Sequence, residues 1–197
     1  MSIVKSAFDT SLDKILSFVS ENGDKPCIIA IDGNSGAGKS TLADILYCIY
    51  DCNVFHMDDF FLRPFQRTPE RLSEPGGNID YERFLKKVLI PLKAGVEFTY
   101  RKYDCKLQKL GKKVKVKPKQ INIIEGVYSL HPQFTGKTGL NDFYDLKIFL
   151  KIEKYKQMRR LKSRNPELFE RFINEWIPME NMYFSTFNIE ELCASER

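Results

Sequence analysis

The chain has 197 residues, 43% of them hydrophobic and 29% charged, with a formal net charge of +5. That length suits a single domain, 1–197, able to bury roughly two-thirds of the surface of its unfolded chain, and the ordinary composition excludes collagen-like, low-complexity and disordered classes. No run of about 18 apolar residues suggests a membrane helix, and the early acids of MSIVKSAFDTSLDK leave no apolar core for a secretion signal, so a cytoplasmic protein is expected.

Residues 9–21 (DTSLDKILSFVSE) place Leu12, Ile15, Leu16 and Val19 on one helical face, and the Asn-Gly pair that follows marks a stop. CIIAID, at 27–32, is a short continuous apolar run of the kind buried in a parallel sheet. It leads straight into GNSGAGKST and a helical stretch, TLADILYCIY. NVFHMDD reads as a second short strand ending in acids, and 80–93 (DYERFLKKVLIPLK) as a helix with Pro91 near its end. Residues 96–119 read as a hairpin turning around Leu110-Gly111. INIIEG (121–126) and YDLKIFLKI (144–152) supply two further buried-type strands, and helical patterns return at 154–163 and 166–188. Strand and helix in alternation predict an α/β fold with a mostly parallel sheet. Ligands of such sheets sit beyond the carboxyl ends of the strands. The segments 33–41, 56–61 and 125–128 each follow a predicted strand, so they should converge on one cleft.

Charge and cysteine spacing narrow the classes further. Segment 101–119 holds nine Lys or Arg and one Asp, a net of +8 against −3 for the rest. A basic strip can attract nucleic acid or an anionic ligand. The alternation of Lys with Leu or Val, as in KKVKVKP, instead fits a solvated hairpin whose lysines discourage edge pairing, which weighs against nucleic acid. The five cysteines are an odd number without C-x-x-C spacing, and only His56 and His131 could add nitrogen ligands. A structural zinc site needs about four such ligands at tight spacing, so reduced thiols are expected.

Gly33-Asn34-Ser35-Gly36-Ala37-Gly38-Lys39-Ser40 satisfies G-x-x-x-x-G-K-[ST], the phosphate-binding loop, with Thr41 following. Its glycines let the backbone curl so that successive N–H groups point at phosphate oxygens, and the following helix adds its positive end. Lys39 can reach the β- and γ-phosphates, and the Ser40 hydroxyl is placed to ligate magnesium. Asp58 and Asp59 follow the second strand; adjacent residues of an extended chain point to opposite sides, so one acid should face the phosphates and the other a turn or solvent. An acid there can take a proton from an attacking hydroxyl or hold magnesium through water. Glu125, closing INIIE, can serve the metal as well. Arg159, Arg160 and Arg164 lie on a helix after the last strand, where arginines can close over a transferring phosphoryl group.

In order along nearly the whole chain, GNSGAGKST, HMDDFF, Tyr103-Asp104, IIEG, QMRRLKSR and WIPMENMYF (176–184) resemble the uridine kinase family of phosphate-loop kinases, which includes nicotinamide riboside kinase and phosphoribulokinase relatives. The resemblance implies a three-layer α/β/α fold with a mostly parallel sheet, a hairpin insertion at about 96–119 and a helical lid at about 154–175. It implies ATP and Mg²⁺, with Asp58 as base on a sugar hydroxyl, Phe61 near the sugar or base, and Tyr103 in the base pocket. Glu125 falls on the magnesium-linked acid, and Arg159, Arg160 and Arg164 in the lid. Where uridine-cytidine kinases carry a pyrimidine-reading His, this chain has CKLQKL, with Gln108 the nearest polar candidate. Asp80 falls near the ribose contact at a different offset, and Tyr128 is a further acceptor-side candidate. Where these kinases usually have one further strand this chain has NIEELCASER, so that edge of the sheet is expected to be missing or built differently. The expected activity is phosphorylation of a ribonucleoside 5′-hydroxyl, with nicotinamide riboside or another alcohol as the alternative acceptor. A nucleotide-dependent switch or assembly ATPase is the alternative of another class; the chain has no N-K-x-D guanine-reading motif. A homo-oligomer is compatible with all of these.

Overall fold

In the computed structural model, residues 6–136 and 142–194 are described. Four parallel strands form the central sheet in the order β2-β5-β1-β6: β1 (Cys27–Gly33), β2 (Cys52–His56), β5 (Ile121–Glu125) and β6 (Leu146–Leu150). Every residue of β1 and β5 is buried, as expected for strands covered on both faces. Side chains alternate between those faces. Cys27, Ile29 and Ile31 pack with Ile123 and Ile148 against α1 (Ala7–Asn22) and α2 (Lys39–Ile49), through Ile15, Leu42 and Leu46. Ile28, Ala30 and Ile124 face the other way, into Phe55, Phe60, Phe84, Val88 and Tyr183. The result is three layers, and truncating a residue such as Ile29 to Ala is expected to cost about 2–5 kcal/mol.

α1 begins in a capping box: Asp9 N–H donates to Ser6 Oγ at 3.2 Å, and Ser6 N–H donates to the Asp9 carboxylate at 3.1 Å. It stops at Gly23, whose φ is 59°. The hairpin consists of β3 (Phe98–Asp104) and β4 (Lys109–Val116). Its turn lies at 105–108 rather than at Leu110-Gly111. The Asp104 carboxylate accepts N–H bonds from Lys106 and Leu107, each at 2.9 Å, and Gln108 takes the left-handed conformation. Leu110 consequently pairs with Tyr103 inside the ladder.

Two helices expected to be regular contain wider π turns. The first runs as α4 (Tyr81–Phe84), a π segment at Leu85–Leu89 and α5 (Ile90–Lys93); the loop before it carries the short α3 (Pro69–Ser73), capped by Thr68. The helix α6 (Lys154–Arg164) is followed by α7 (Phe169–Arg171), a π segment at Phe172–Trp176, α8 (Ile177–Phe187) and α9 (Ile189–Ala194). Pro91 and Pro178 each sit two residues past a π segment. A proline has no N–H and its ring clashes with the carbonyl four residues earlier, and a widened turn relieves that clash. Among the described residues no helix is long and apolar enough to cross a membrane.

Candidate active site

The phosphate loop starts where β1 runs out beside β6. Gly33 has φ 136°, and a Cβ there would lie 2.1 Å from the Leu150 carbonyl oxygen, so no side chain fits. Gly36 and Gly38 also adopt positive φ. α2 starts at Lys39 without a side-chain cap, which leaves its first N–H groups available to an anion. The buried Lys39 ammonium donates to the carbonyls of Gly33 at 2.7 Å and Asn34 at 3.0 Å, lying across the loop.

The ends of β2 and β5 bring the acids to this loop. His56 and Glu125 are register partners, and His56 Nδ1 lies 2.5 Å from Glu125 Oε1. Ser40 Oγ donates to the same carboxylate at 3.2–3.3 Å. The hydrogen bond to Glu125 raises the His56 pKa, against the opposing effect of burial. Asp58 stands in a 3₁₀ turn, Met57–Phe60, and opens into the cleft. Its side chain is reached by solvent, yet it sits low between protein walls; that desolvation, then the Glu125 charge, raise its pKa, while Lys39 pulls it down. Asp59 turns elsewhere and pairs with Lys102 of the hairpin at 2.9 Å. The two adjacent acids thus divide between cleft and hairpin.

α6 roofs the loop. Arg159, Arg160, Ser163 and Arg164 line one cavity of about 1040 Å³ together with Ser35–Thr41, Asp58, Glu125, Gly126 and Val127. Arg160 donates to the Gly36 carbonyl at 2.9 Å, and Gln157 to the Ser35 carbonyl at 3.0 Å. From α8, the buried Glu180 carboxylate accepts from Ser35 N–H at 3.1 Å and also from Ser35 Oγ.

No protein-family profile matches the sequence, and no curated protein matches it significantly. Solved structures do. A protein described as a possible uridine kinase from Bacillus stearothermophilus superposes with a TM-score of 0.61 over 91% of each chain, at 22% identity. A protein assigned as a fructose transport system kinase from Silicibacter sp. TM1040 gives 0.62 over 83% of this chain and 82% of the other, also at 22% identity. D-glycerate 3-kinase from Cryptococcus neoformans gives 0.56 over 90% and 88%, at 16% identity. The fold is that of the P-loop kinases. At these identities the likeness is one of architecture, and the named kinases differ in substrate class.

Within this P-loop kinase fold, Asp58 lines the large cavity, and the other expected acceptor-side residues lie outside its lining. Asp80 is buried and has other partners: it caps α4 by accepting from Arg83 N–H and takes the Arg83 Nε–H at 3.1 Å, with Arg63 3.7 Å away. Phe61 is half-buried and bridges Ile79. Tyr103 is buried in the hairpin, Gln108 is exposed at its turn, and Tyr128 is buried edge-on against Tyr183. Other residues of the site escaped the sequence reading. Asp32 is fully buried at the end of β1 and accepts from Gly33 N–H, Leu130 N–H and the Tyr183 hydroxyl at 2.7, 3.0 and 2.8 Å. Burial pushes its pKa up to about 6 despite these donors and Lys39. An acid inside the apolar run CIIAID was the available signal. Ser6 and Phe8 at the start of α1 also line the cavity.

Proposed function

We propose that this protein is a kinase that transfers the γ-phosphoryl group of ATP to a hydroxyl of a small molecule, with a ribonucleoside 5′-hydroxyl as the leading acceptor. The observation that carries the reading is the single cavity in which Asp58 faces the phosphate loop, beside Ser40 and Glu125 and beneath three lid arginines. Asp58 accepts the proton of the acceptor hydroxyl as its oxygen bonds to the γ-phosphorus and the bond to the β–γ bridging oxygen breaks, giving ADP and a phosphate ester. Its raised pKa makes it a stronger base than an ordinary aspartate. Lys39 exchanges its loop carbonyls for phosphate oxygens. Arg160 and Arg164 balance the charge on the transferring group.

Magnesium suits this donor set. Ser40 and Glu125 offer a hydroxyl and a carboxylate at the loop mouth, and Asp58 lines the same cavity, where it could help through water. Few protein oxygens completed by phosphates and water are what Mg²⁺ usually takes. Bound there, it would neutralise charge on the phosphates.

The test is acceptor-dependent ADP release from Mg·ATP across uridine, cytidine, nicotinamide riboside, pantothenate, ribulose 5-phosphate, fructose and D-glycerate. Stimulation by uridine or cytidine supports the full reading. Stimulation by another acceptor keeps the kinase and moves its substrate. ADP release that ignores the whole panel favours a nucleotide-dependent switch or assembly ATPase.

A further inference from the structure

The large cavity has two ends, and the sheet order separates them. Asp58 follows β2, and Glu125, Gly126 and Val127 follow β5; both strands lie on one side of β1. α1 packs against β6, on the other side of β1, and its first turn brings Ser6 and Phe8 into the same cavity. A nucleotide whose γ-phosphate meets Asp58 therefore extends its remaining length toward α1. Phe8 is half-buried there, and its Cδ2 and Cε2 would be 3.5 Å from a Cβ built on Gly38. Its ring thus stands directly beside the phosphate loop with an edge of the cavity open to it.

The capping box fixes this position. The Ser6 hydroxyl and N–H are both engaged with Asp9, which anchors the helix start two residues before Phe8. The same Ser6 hydroxyl is therefore committed to its own helix rather than to a base edge. Arg159 lines the same cavity, and its guanidinium group donates hydrogen bonds, carries positive charge and can stack on a flat ring. An aromatic ring and a guanidinium plane read the flat face of a base rather than a pattern of base-edge groups, and a purine presents the larger face.

We propose that Phe8 is the stacking platform for the base of the nucleoside triphosphate donor, and that the site takes purine donors, both ATP and GTP, ahead of pyrimidine ones. This rests on the reading of the loop as a donor triphosphate site. Helix α1 thereby contributes a binding residue to a cleft otherwise lined by the phosphate loop, the start of α2, the segments at the ends of β2 and β5, and α6.

Calorimetric binding of Mg·ATP, Mg·GTP, Mg·CTP and Mg·tripolyphosphate to wild type and to Phe8→Leu, Phe8→Tyr and Phe8→Trp tests it, with circular dichroism to verify folding. Tripolyphosphate carries the charge but no base. Phe8→Leu is expected to weaken ATP and GTP about tenfold, in the range of one lost stacking contact, and to leave tripolyphosphate within about twofold. Phe8→Tyr and Phe8→Trp are expected to keep the wild-type affinity, and CTP to bind less tightly than either purine. Equal weakening of ATP and tripolyphosphate would make Phe8 a prop for Gly38 and overturn the proposal. Unchanged ATP affinity in Phe8→Leu, or a CTP affinity equal to that of ATP, would overturn it as well. If wild type binds neither ATP nor tripolyphosphate, the donor-site reading itself fails and takes this one with it. No acceptor is needed, so a protein that binds ATP yet turns over nothing on the panel still decides the role of Phe8.

Discussion

Glu180 on α8 holds Ser35 of the phosphate loop by both its N–H and its hydroxyl, although Glu180 does not itself line the cavity. One helical turn on, Tyr183 donates to Asp32 at the loop's entry. α6 grips the same stretch from its own side with Gln157 on Ser35 and Arg160 on Gly36, again three residues apart. Residues 32–36 are thus fixed by two helices, each through an i, i+3 pair on one face. Gly33 alone could not impose this geometry. Its φ permits the turn, while the helices select one conformation from those that glycine allows.

Loss of this clamp has a measurable cost. Glu180→Ala leaves the Ser35 N–H and hydroxyl facing a space without an acceptor, and one buried unsatisfied donor costs about 1–3 kcal/mol. The expected result is a denaturant midpoint lowered by a stability loss of about 2–3 kcal/mol with an unchanged m-value. Glu180→Gln keeps an acceptor oxygen and should lose less than half as much. An alanine variant as stable as wild type would show that Ser35 finds water instead.

Asp58→Asn should leave ATP affinity within about twofold and lower kcat by at least about a hundredfold, the contribution typical of a catalytic base. Asp59→Asn removes a half-exposed ion pair with Lys102, for which a loss of about 1 kcal/mol or less is expected. Single-turnover kinetics of both variants decide the assignment: Asp59→Asn as the more damaging change would move the base by one residue. Because Asp58 must be ionised to act and its pKa is raised, activity should fall on acidification from a pH above the ordinary aspartate range.

Lys39→Ala should abolish turnover with every acceptor and leave the fold intact. Among the described residues its ammonium bonds to the Gly33 and Asn34 carbonyls, on a loop already held from outside by Glu180, Gln157 and Arg160. A coupled ADP assay with a thermal melt as control reads both parts. Retained turnover would place the phosphate site elsewhere.

How far the sequence alone carries depends on the range of each interaction. The loop 33–41 and the strands around it were legible because glycine spacing and continuous apolar runs are local properties. The division of Asp58 from Asp59 was expected from an extended chain, but the two acids stand in a 3₁₀ turn, which turns by about a third of a circle per residue and separates them in its own way. The hairpin turn was expected at a Leu-Gly pair, whereas the Asp104 carboxylate bonding forward to Lys106 and Leu107 centres it four residues earlier. Glu180 is 145 residues from Ser35, and Tyr183 is 151 from Asp32. Their pairing depends on how α8 docks, which no local pattern encodes. Asp80 looked available for a ligand until the fold supplied Arg83 one turn away.

His131 provides a prediction that is independent of any ligand. It is buried, stacks on Tyr81 at 4.4 Å and lies parallel to Tyr183 at 6.3 Å. Its Nδ1 accepts from Gln133 N–H at 3.3 Å, and its ring is hydrogen-bonded to the backbone of Pro75, so the neutral ring is fully employed. Burial, and then the positive charge of Arg71, push its pKa down from 6.5 to about 4 against the Pro75 bond. In the unfolded chain the imidazole takes up a proton below 6.5, while in the fold it does not until about 4. Stability from this group is therefore complete above pH 6.5 and is lost as pH falls toward 4, in total about 3 kcal/mol at about 1.4 kcal/mol per tenfold in proton affinity. Asp32 acts in the opposite sense: its folded pKa of about 6 lies above the ordinary 3.8, so acidification from 6 to 4 favours the fold. The two partly cancel in wild type, and a bare pH profile would hide both. His131→Gln separates them, since the amide can replace both hydrogen bonds without titrating in this range. The wild-type advantage over His131→Gln, from urea unfolding at pH 7 and pH 4, should shrink by about 3 kcal/mol. An advantage that does not change with pH would mean that the folded and unfolded imidazoles titrate alike, and that the aromatic stack does not exclude the charged ring.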